Sequence, residues 1–369
     1  MKKHPLRVAI IGLGAVTRNI HLPAYKMLAE KIEIVGGCDT DGEVREFARQ
    51  KLGVGEIFDD PRKMIETTAP DIVSVCTPPS PHVEQTLLAL EYNAHVFCEK
   101  PLAESLANAA QIVRAAEKAN RFVVVNNQFP YMNIHRGAKK IIGSPEFGRL
   151  LFMQAWQIFH PSHHTESGWR GRLKRRLCFE FGIHVFELAR YFFDAEPLRI
   201  SAQMPQPNPA QHADTLNLIT LEFADGRAAS IILNRLSHAP ERYLDMRLDG
   251  EFASVQTSIG GRVRIEAGIH TREKRPFLNL NFVKGGSAIL QNGNKSRIIA
   301  RDGINPFASS TARHFGNFIK AIEEGGMPPA TAQDNLKTLA LVFAAYDSAE
   351  SHCAINMSDY MSEQQFETN

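Results

Sequence analysis

The first strand of the chain runs directly into a glycine turn. Leu6–Ile11 is a largely apolar run typical of a β-strand. A turn poor in side chains follows, with Gly12, Gly14 and Ala15, and leads into a segment of helical period. Glycine allows positive φ angles and close approach of the backbone to a phosphate, and the free amides at the start of a helix favour negative charge. The stretch therefore predicts a diphosphate site, although the G-x-G-x-x-G/A pattern has Thr17 at its third small position.

An acidic residue follows the second predicted strand. Ile32–Cys38 ends at Asp39, 25 residues after Gly14. A carboxylate at this place can accept hydrogen bonds from the adenosine ribose hydroxyls, and it would repel the 2′-phosphate of NADP. The glycines and Asp39 together favour a nucleotide-binding fold that takes NAD, with NADP less favoured. The alternative is that Asp39 only forms the turn in the Asp-Thr-Asp-Gly run at 39–42.

Bulk properties limit the class of protein. A chain of 369 residues suits two domains, and 44% hydrophobic with 22% charged residues is typical of a soluble globular protein. A net charge of +2 does not suggest nucleic acid as a partner. The five cysteines include no C-x-x-C pair, which favours a reducing compartment over a disulfide framework or a structural zinc site. No apolar run reaches membrane-spanning length and none near the start resembles a signal peptide, so we expect a cytoplasmic protein without a membrane partner.

The order of predicted elements changes near residue 126. Up to that point strands and helices alternate, which predicts a doubly wound parallel sheet, or Rossmann domain, over residues 1–125. Beyond it we predict an α+β domain over 126–369, with a large, mainly antiparallel sheet whose helices cover one face. The predicted elements are strands at 57–58, 71–76, 94–98, 121–125, 150–158, 215–223, 228–234 and 243–248, and helices at 42–52, 60–67, 83–92, 104–119 and 135–142.

Several motifs occur in the order of one family. They are GLGAVTRNIHLPA at 12–24, Asp39, VCTPPSPH at 75–82, CEKPLA at 98–103, GRLLFMQAW at 148–156, GIHVFELARYF at 182–192 and AYDSAES at 345–351. Over nearly its whole length the chain resembles the Gfo/Idh/MocA family of nicotinamide-dependent oxidoreductases. The resemblance implies a second domain that supplies the substrate site, and an open sheet face that makes homodimers or homotetramers.

The E-K-P motif carries the first catalytic residue that the resemblance implies. In the family this lysine, here Lys100, lies at the domain junction close to the nicotinamide and the substrate. Partial burial beside a positively charged ring should lower the pKa of Lys100, so that it can help to move the proton of a substrate hydroxyl. Pro101 permits a cis peptide bond, which the family typically has here. The alternative is an exposed lysine at a helix entry.

Glu180 and His184 give the second catalytic signal. Positions four apart share one face of a helix, so a carboxylate and an imidazole can point into one cavity. The family pattern is Asp-x-x-x-His, so His184 is carried over as general acid/base or substrate ligand, and Glu180 only as a longer substitute that orients or tunes it. An unperturbed pKa of about 6.5 suits such a histidine to take a hydroxyl proton. The alternative for His184 is a satisfied structural histidine.

The resemblance and the turn chemistry together give a set of candidate residues. We expect the diphosphate at Gly12, Gly14, Ala15 and Val16, the ribose at Asp39, the cofactor cleft at Thr77, Pro78 and His82, and the nicotinamide end near Glu99, Lys100 and Gln128. On the substrate side we expect Lys100, Trp169, Arg170, Glu180 and His184.

Two clusters depart from the family. Where the family commonly has a run of glycines, this chain has the Lys-Arg-Arg run at 174–176, which forms a basic cluster with Arg170 and Arg172. They could meet an acidic substrate such as a sugar acid or phosphorylated sugar, and a solvated basic loop is the favoured alternative. His160, His163 and His164 resemble metal ligands but lack carboxylates at ligand spacing, so we expect no metal site.

The sequence thus predicts an NAD-dependent dehydrogenase that acts on a CH–OH group of a sugar, inositol, sugar acid or related polyol. Two alternatives remain. One is a redox-neutral enzyme with tightly bound NAD that carries out elimination or glycoside cleavage. The other is a catalytically inactive nucleotide-sensing regulator.

Overall fold

The first sheet of the computed structural model is parallel and six-stranded, in the order β3-β2-β1-β4-β5-β6. The structure describes residues 4–158, 168–207, 211–238, 242–260, 262–269, 276–283 and 285–366. The strands of this sheet are β1 (Leu6–Ile11), β2 (Ile32–Cys38), β3 (Glu56–Phe58), β4 (Ile72–Val75), β5 (His95–Cys98) and β6 (Val123–Val125). The strand order reverses between β1 and β4, and ligands of such sheets bind beyond the carboxyl ends of the strands at that point. The predicted doubly wound sheet is confirmed.

The helices of this part begin where the sequence supplies caps. Asp41, Asp60 and Ser105 each accept hydrogen bonds from amides of the first turn of the helix that follows. A π-helical turn (Thr17–His21) links the glycine turn to α1, in place of a regular α-helix. The helices are α1 (Leu22–Lys26), α2 (Gly42–Lys51), α3 (Pro61–Thr68), α4 (His82–Glu91) and α5 (Leu106–Ala119).

The second sheet has nine strands in the order β16-β15-β12-β11-β7-β10-β9-β8-β17. Its pairs are antiparallel except for β7 and β10, which run parallel. The strands are β7 (Leu150–Ile158), β8 (Arg199–Gln203), β9 (Leu216–Glu222), β10 (Ala228–Asn234), β11 (Arg242–Gly250), β12 (Ser254–Ile259), β15 (Ser287–Asn292), β16 (Lys295–Arg301) and β17 (Ile355–Asn356), while β13 (Arg262–Ile269) and β14 (Pro276–Val283) form a separate pair. The predicted, mainly antiparallel sheet is confirmed.

Helices cover only one face of this large sheet. The inner face packs on α6 (Asn133–Ile141) and α7 (Ile183–Phe193). Buried and partly exposed residues alternate along β10, so the described residues leave the outer face of this strand uncovered. A π-helical turn (Leu177–Gly182) leads into α7, and short 3₁₀ turns lie at Phe129–Tyr131 and Arg170–Arg172.

The last helices return the chain to the first sheet. They are α8 (Pro306–Glu324), α9 (Ala332–Ser351) and α10 (Met357–Phe366). Phe315 and Phe318 of α8 pack against Phe97 of β5 with ring centroids 4.9 and 6.0 Å away. The domain limits at 125 and 126 stay a prediction. Among the described residues, no helix combines the length and apolar character needed to cross a bilayer.

Candidate active site

The glycine turn has the geometry that a dinucleotide requires. Gly12 has φ +90°, and a Cβ there would lie 2.9 Å from the carbonyl carbon of Cys76, so only glycine fits. A Cβ at Gly14 would meet nothing within 4 Å, which leaves that side of the turn open to a ligand. Thr17 is buried, and its hydroxyl donates to the Gly12 carbonyl (2.5 Å). The threonine in the third small position therefore closes the turn instead of blocking it.

Asp39 lies beside this turn, as the sequence predicts. Its Oδ2 accepts from the Leu13 amide (2.8 Å) and its Oδ1 from the Asp41 amide (2.9 Å). Each carboxylate oxygen has a second lone pair, so Asp39 can still accept from ribose hydroxyls. Together with the open side at Gly14, this arrangement fits NAD. Ala15 and Val16 continue the chain from the turn into the helix.

The loop after β4 packs on the buried ring of His82. Pro78 is exposed, and the Thr77 hydroxyl donates to Gln85 Oε1 (2.7 Å). The ring of His82 is 0% exposed, with Nε2 2.9 Å from the Thr77 carbonyl oxygen and Nδ1 2.9 Å from that of Pro101. Thr77 and Pro78 can thus face the cofactor, whereas His82 supports the loop beneath them instead of forming the surface of the cleft.

Lys100 follows β5 and joins the two sheets. Its Nζ donates to the backbone carbonyl of Glu180 (2.7 Å), and the Lys100–Pro101 peptide is cis, as predicted. Burial lowers the pKa of Lys100, partly opposed by the Glu180 and Glu99 carboxylates, and Arg170 lowers it further. The lysine is half-buried and bonded, so the interpretation as an exposed helix-entry lysine is wrong.

Glu99 and Gln128 lie in the protein interior at this junction. Glu99 Oε1 accepts from His21 Nε2 and from Asn126 Nδ2, both at 2.7 Å, and its Oε2 accepts from the Lys100 amide at 3.2 Å. Burial favours the neutral acid, but His21 and Asn126 outweigh it and hold the pKa of Glu99 below its usual value. Gln128 is 4% exposed, and its Oε1 has no hydrogen-bond partner in the described part of the chain.

Glu180 points to arginines. Its Oε1 accepts from Arg170 Nε and its Oε2 from Arg176 Nε (3.0 Å). Burial by itself would raise the pKa of this carboxyl group, but Arg170, Lys100 and Arg176 hold it below its usual value. Within the described contacts, no hydrogen bond joins Glu180 to His184. The described contacts therefore give no support to the predicted orienting role of Glu180, because both of its oxygens accept from guanidinium groups and neither meets His184.

His184 lies on α7 against an aromatic ring. It stacks on Phe129, with centroids 3.9 Å apart and planes 3° from parallel. Burial and the nearby Lys100 charge place the pKa of His184 well below its usual value, and its Nδ1 has no partner among the described groups. The ring is therefore neutral near pH 7 and can accept a hydrogen bond from a ligand.

Comparison with known proteins assigns the family. Residues 6–127 match the oxidoreductase family with an NAD-binding Rossmann fold, and residues 135–256 match the Gfo/Idh/MocA C-terminal domain. The chain belongs to the Gfo/Idh/MocA oxidoreductase family. Its first domain is therefore an NAD-binding Rossmann domain, in agreement with the geometry at Gly12, Gly14 and Asp39.

Relatives and solved structures agree with this family. The chain is 26% identical over 366 residues to D-apiose dehydrogenase of Paraburkholderia graminis, which covers 96% of this chain and 90% of the relative. It is 39% identical over 196 residues to D-glucoside 3-dehydrogenase of Escherichia coli, 52% of this chain and 55% of the relative. The fold is similar to that of an Agrobacterium radiobacter oxidoreductase solved with NAD+, L-tartaric acid and magnesium. That comparison has a TM-score of 0.83 and 19% identity, and it covers 96% and 99% of the two chains.

The basic cluster that sets this family member apart is bound to acids of the protein itself. Arg176 is 0% exposed and pairs with Glu180, while Arg175 pairs with Asp347 (3.2 Å) and Glu350 (2.6 Å). The solvated-loop interpretation is wrong for Arg176, which is buried, whereas Arg175 is exposed and forms its ion pairs at the surface with two acids of α9. Arg170 keeps a partly exposed guanidinium over the ring of the half-buried Trp169, 4.4 Å from its centroid.

Two residues near the site were not predicted from sequence. Phe129 supports His184, yet the two are 55 positions apart and no local pattern joins them. Gln157 lies on the buried side of β7 with neither side-chain polar atom hydrogen-bonded within the described residues. The alternation of β7 could have revealed Gln157, since it sets an amide on the face that is otherwise apolar.

A metal centre is not found in the described part of the chain. No group of three His, Cys, Asp or Glu side chains there could hold an ion. His160, His163 and His164 lie outside the described residues, so the expectation about them stays a prediction.

Proposed function

We propose that this protein is an NAD-dependent dehydrogenase that oxidises a CH–OH group of a sugar, inositol, sugar acid or related polyol, or reduces the matching carbonyl. The observation that carries the proposal is the bond from Lys100 Nζ to the Glu180 carbonyl, one helical turn before His184. This bond supports a site in which the Lys100 amine, which follows β5 and has a lowered pKa, lies close to the neutral imidazole of His184 on α7. The relatives named as D-apiose and D-glucoside dehydrogenases support a carbohydrate substrate.

The proton chemistry follows from the charge states of these two residues. NAD, when bound, supplies the acceptor for the hydride that leaves the carbinol carbon with two electrons. Burial lowers the pKa of Lys100 and so favours loss of its proton; the deprotonated amine accepts the proton of the same carbon's hydroxyl, so that a carbonyl forms, and then returns the proton to solvent. In the opposite direction the Lys100 ammonium donates that proton. Neutral His184 accepts a hydrogen bond from a substrate hydroxyl and fixes the orientation of the substrate.

Arg170 is the residue of the basic cluster that supports an acidic substituent on the substrate. Glu180 binds its Nε, while its guanidinium remains partly exposed above Trp169. Guanidinium groups bind carboxylates in a forked geometry, so a sugar acid belongs in the substrate panel beside neutral sugars. Arg176 is not a candidate because it is buried, and Arg175 is not because all three of its guanidinium nitrogens face the carboxylates of Asp347 and Glu350.

The decisive experiment follows NADH formation by absorbance with NAD+ and a panel of inositols, aldoses, polyols and sugar acids. Lys100→Ala should lower turnover by about 10²–10⁴-fold because it removes the proton acceptor. Lys118→Ala, at an exposed lysine of α5, is the matched control and should behave as wild type.

Two outcomes would contradict the proposal. Full turnover by Lys100→Ala would remove the assigned role of the lysine. A panel without any turnover, together with tight NADH binding in a fluorescence titration, would favour the redox-neutral enzyme or the nucleotide-sensing regulator.

We further propose a cytoplasmic homodimer or homotetramer that associates through the outer face of the second sheet. Trp156 and Ile232 are paired across neighbouring strands and lie half-buried on that face. All five cysteines are free thiols, which suits a reducing compartment. Light scattering on the purified protein tests the assembly, and the mass of a single chain would contradict it.

A further inference from the structure

Two buried histidines hold the backbone on either side of Lys100. We propose that His21 and His82 are positioning residues that fix Lys100 between the two elements that bind the cofactor. The inference rests on the role proposed for Lys100, and neither histidine is assigned a contact with substrate.

His21 acts through Glu99. It ends the π-helical turn that follows the glycine turn, is 0% exposed, and its Nε2 donates to Glu99 Oε1 (2.7 Å). The other oxygen of Glu99 accepts the amide of Lys100 (3.2 Å). On its far side His21 Nδ1 lies 3.1 Å from the Tyr25 hydroxyl, which is hydrogen-bonded to Ser74 of β4 (2.5 Å). The helix after the diphosphate turn is thus connected to the lysine backbone by a continuous buried chain of hydrogen bonds.

His82 acts on the residue after the lysine. It begins α4, and its Nδ1 lies 2.9 Å from the Pro101 carbonyl oxygen while its Nε2 lies 2.9 Å from that of Thr77. Burial lowers the pKa of His82, so its ring is neutral and carries a single N–H; with that hydrogen on Nδ1, the ring donates to the Pro101 carbonyl, and its other edge lies against the Thr77 carbonyl. The ring thus lies between the loop after β4 and the loop after β5, and both loops lie at the carboxyl ends where the cofactor binds.

The contacts made by His21 and His82 restrict the backbone on both sides of Lys100. Glu99 is 6% exposed and Pro101 is buried, so both neighbours of the lysine are fixed in the interior, and Nζ is held at the far end by the Glu180 carbonyl. Displacement of a reacting group by about 1 Å can cost about 10²-fold in rate. A histidine that never touches substrate can therefore control turnover through the placement of Lys100.

Amide replacements separate positioning from general packing. Asn sets its amide near the Nδ1 position of histidine, and Gln sets its amide near the Nε2 position. Because His21 holds Glu99 through Nε2, His21→Gln should keep the contact and His21→Asn should lose it. Because His82 holds Pro101 through Nδ1, the order reverses, so His82→Asn should keep the contact and His82→Gln should lose it.

The test measures kcat on the best panel substrate, NADH affinity by fluorescence, and the pH dependence of Lys100 acetylation by acetic anhydride, read by mass spectrometry. In His21→Asn and His82→Gln we expect kcat to fall by about 10–10²-fold, with NADH affinity close to wild type. The acetylation profile of Lys100 should move in these two variants toward that of the exposed Lys118 in the same digest. His21→Gln and His82→Asn should recover most of the wild-type behaviour.

If the two histidines only fill space, the same amide should be the better replacement at both positions, or all four variants should lose NADH binding. Either result would overturn the proposal. Wild-type kcat and acetylation in all four would overturn it as well. Acetylation of Lys100 is measured without substrate, so it tests positioning independently of turnover. If positions 21 and 82 prefer opposite amides and Lys100→Ala is still active, the catalytic role of Lys100 is refuted but its positioning by the histidines is not.

Discussion

Two buried carboxylates flank Lys100, and the protein neutralises them differently. Glu99, on the side of the first sheet, faces His21 and the side-chain amide of Asn126. Glu180, on the side of the second sheet, faces Arg170 and Arg176. Both carboxyl groups have a lowered pKa, so both are ionised near neutral pH despite their burial.

The difference lies in what each partner can do with its proton. A histidine can release its proton and remain a hydrogen-bond donor, whereas an arginine keeps its charge at any accessible pH. If Glu99 loses its charge, His21 can therefore become neutral as well. If Glu180 loses its charge, Arg170 and Arg176 stay charged. The positive charge beside Glu180 thus persists at any accessible pH, whereas the positive charge of His21 beside Glu99 is lost when the histidine is deprotonated.

The largest effect that we expect is on stability. Glu180→Gln removes the buried carboxylate that accepts from both Arg176 and Arg170, and loss of one member of a buried ion pair costs about 3–5 kcal/mol. Glu99→Gln should cost only about 1–3 kcal/mol, because His21 can become neutral and keep a hydrogen bond. Urea unfolding of the two variants measures both values.

Glu104→Gln is the control, since Glu104 is an exposed carboxylate close to Glu99 in sequence. It should change the free energy of unfolding by no more than about 0.5 kcal/mol. Equal costs at Glu99 and Glu180 would show that the nature of the partner does not matter and would remove the contrast between the two sides.

A smaller effect concerns how these costs depend on pH. Burial disfavours the His21 imidazolium, but Cys76, Tyr25 and Glu99 outweigh burial and raise the pKa of His21 well above its usual value of about 6.5. A raised pKa in the folded state gives stability that is fully present below about pH 6.5 and is lost as the pH rises through the folded value. The stability difference between wild type and Glu99→Gln should therefore shrink between neutral and alkaline pH.

The difference between wild type and Glu180→Gln should stay constant over that range, because the arginines do not titrate there. Both differences should shrink in acid below about pH 4.5, since a lowered carboxyl pKa gives stability that is lost as the pH falls through the folded value. Urea midpoints from pH 4 to 9 follow both curves. If the stability difference between wild type and Glu99→Gln stayed constant from pH 6 to 9, His21 would not be the positively charged partner of Glu99.

Much of the first domain could be predicted from the sequence because its signals are local. β1 and β2 have the predicted limits, and the other predicted elements up to residue 125 differ from the structure by at most two residues at their ends. Apolar runs, glycines and caps act over a few residues, so the chain records them directly. Asp39 beside the glycine turn and the cis bond at Pro101 were predictable from motifs in the same way.

The sequence by itself determined the class of fold and the NAD-binding character of the first domain, and it proposed Lys100 and His184 as catalytic candidates. Only the tertiary structure decided how the charges around them are paired. Arg175 meets Glu350, which is 175 positions away, and Lys100 meets Glu180 through its backbone carbonyl instead of its carboxylate. The physical reason is that periodicity and turn chemistry are properties of neighbouring residues, whereas the partner of a buried charge is set by how distant elements pack.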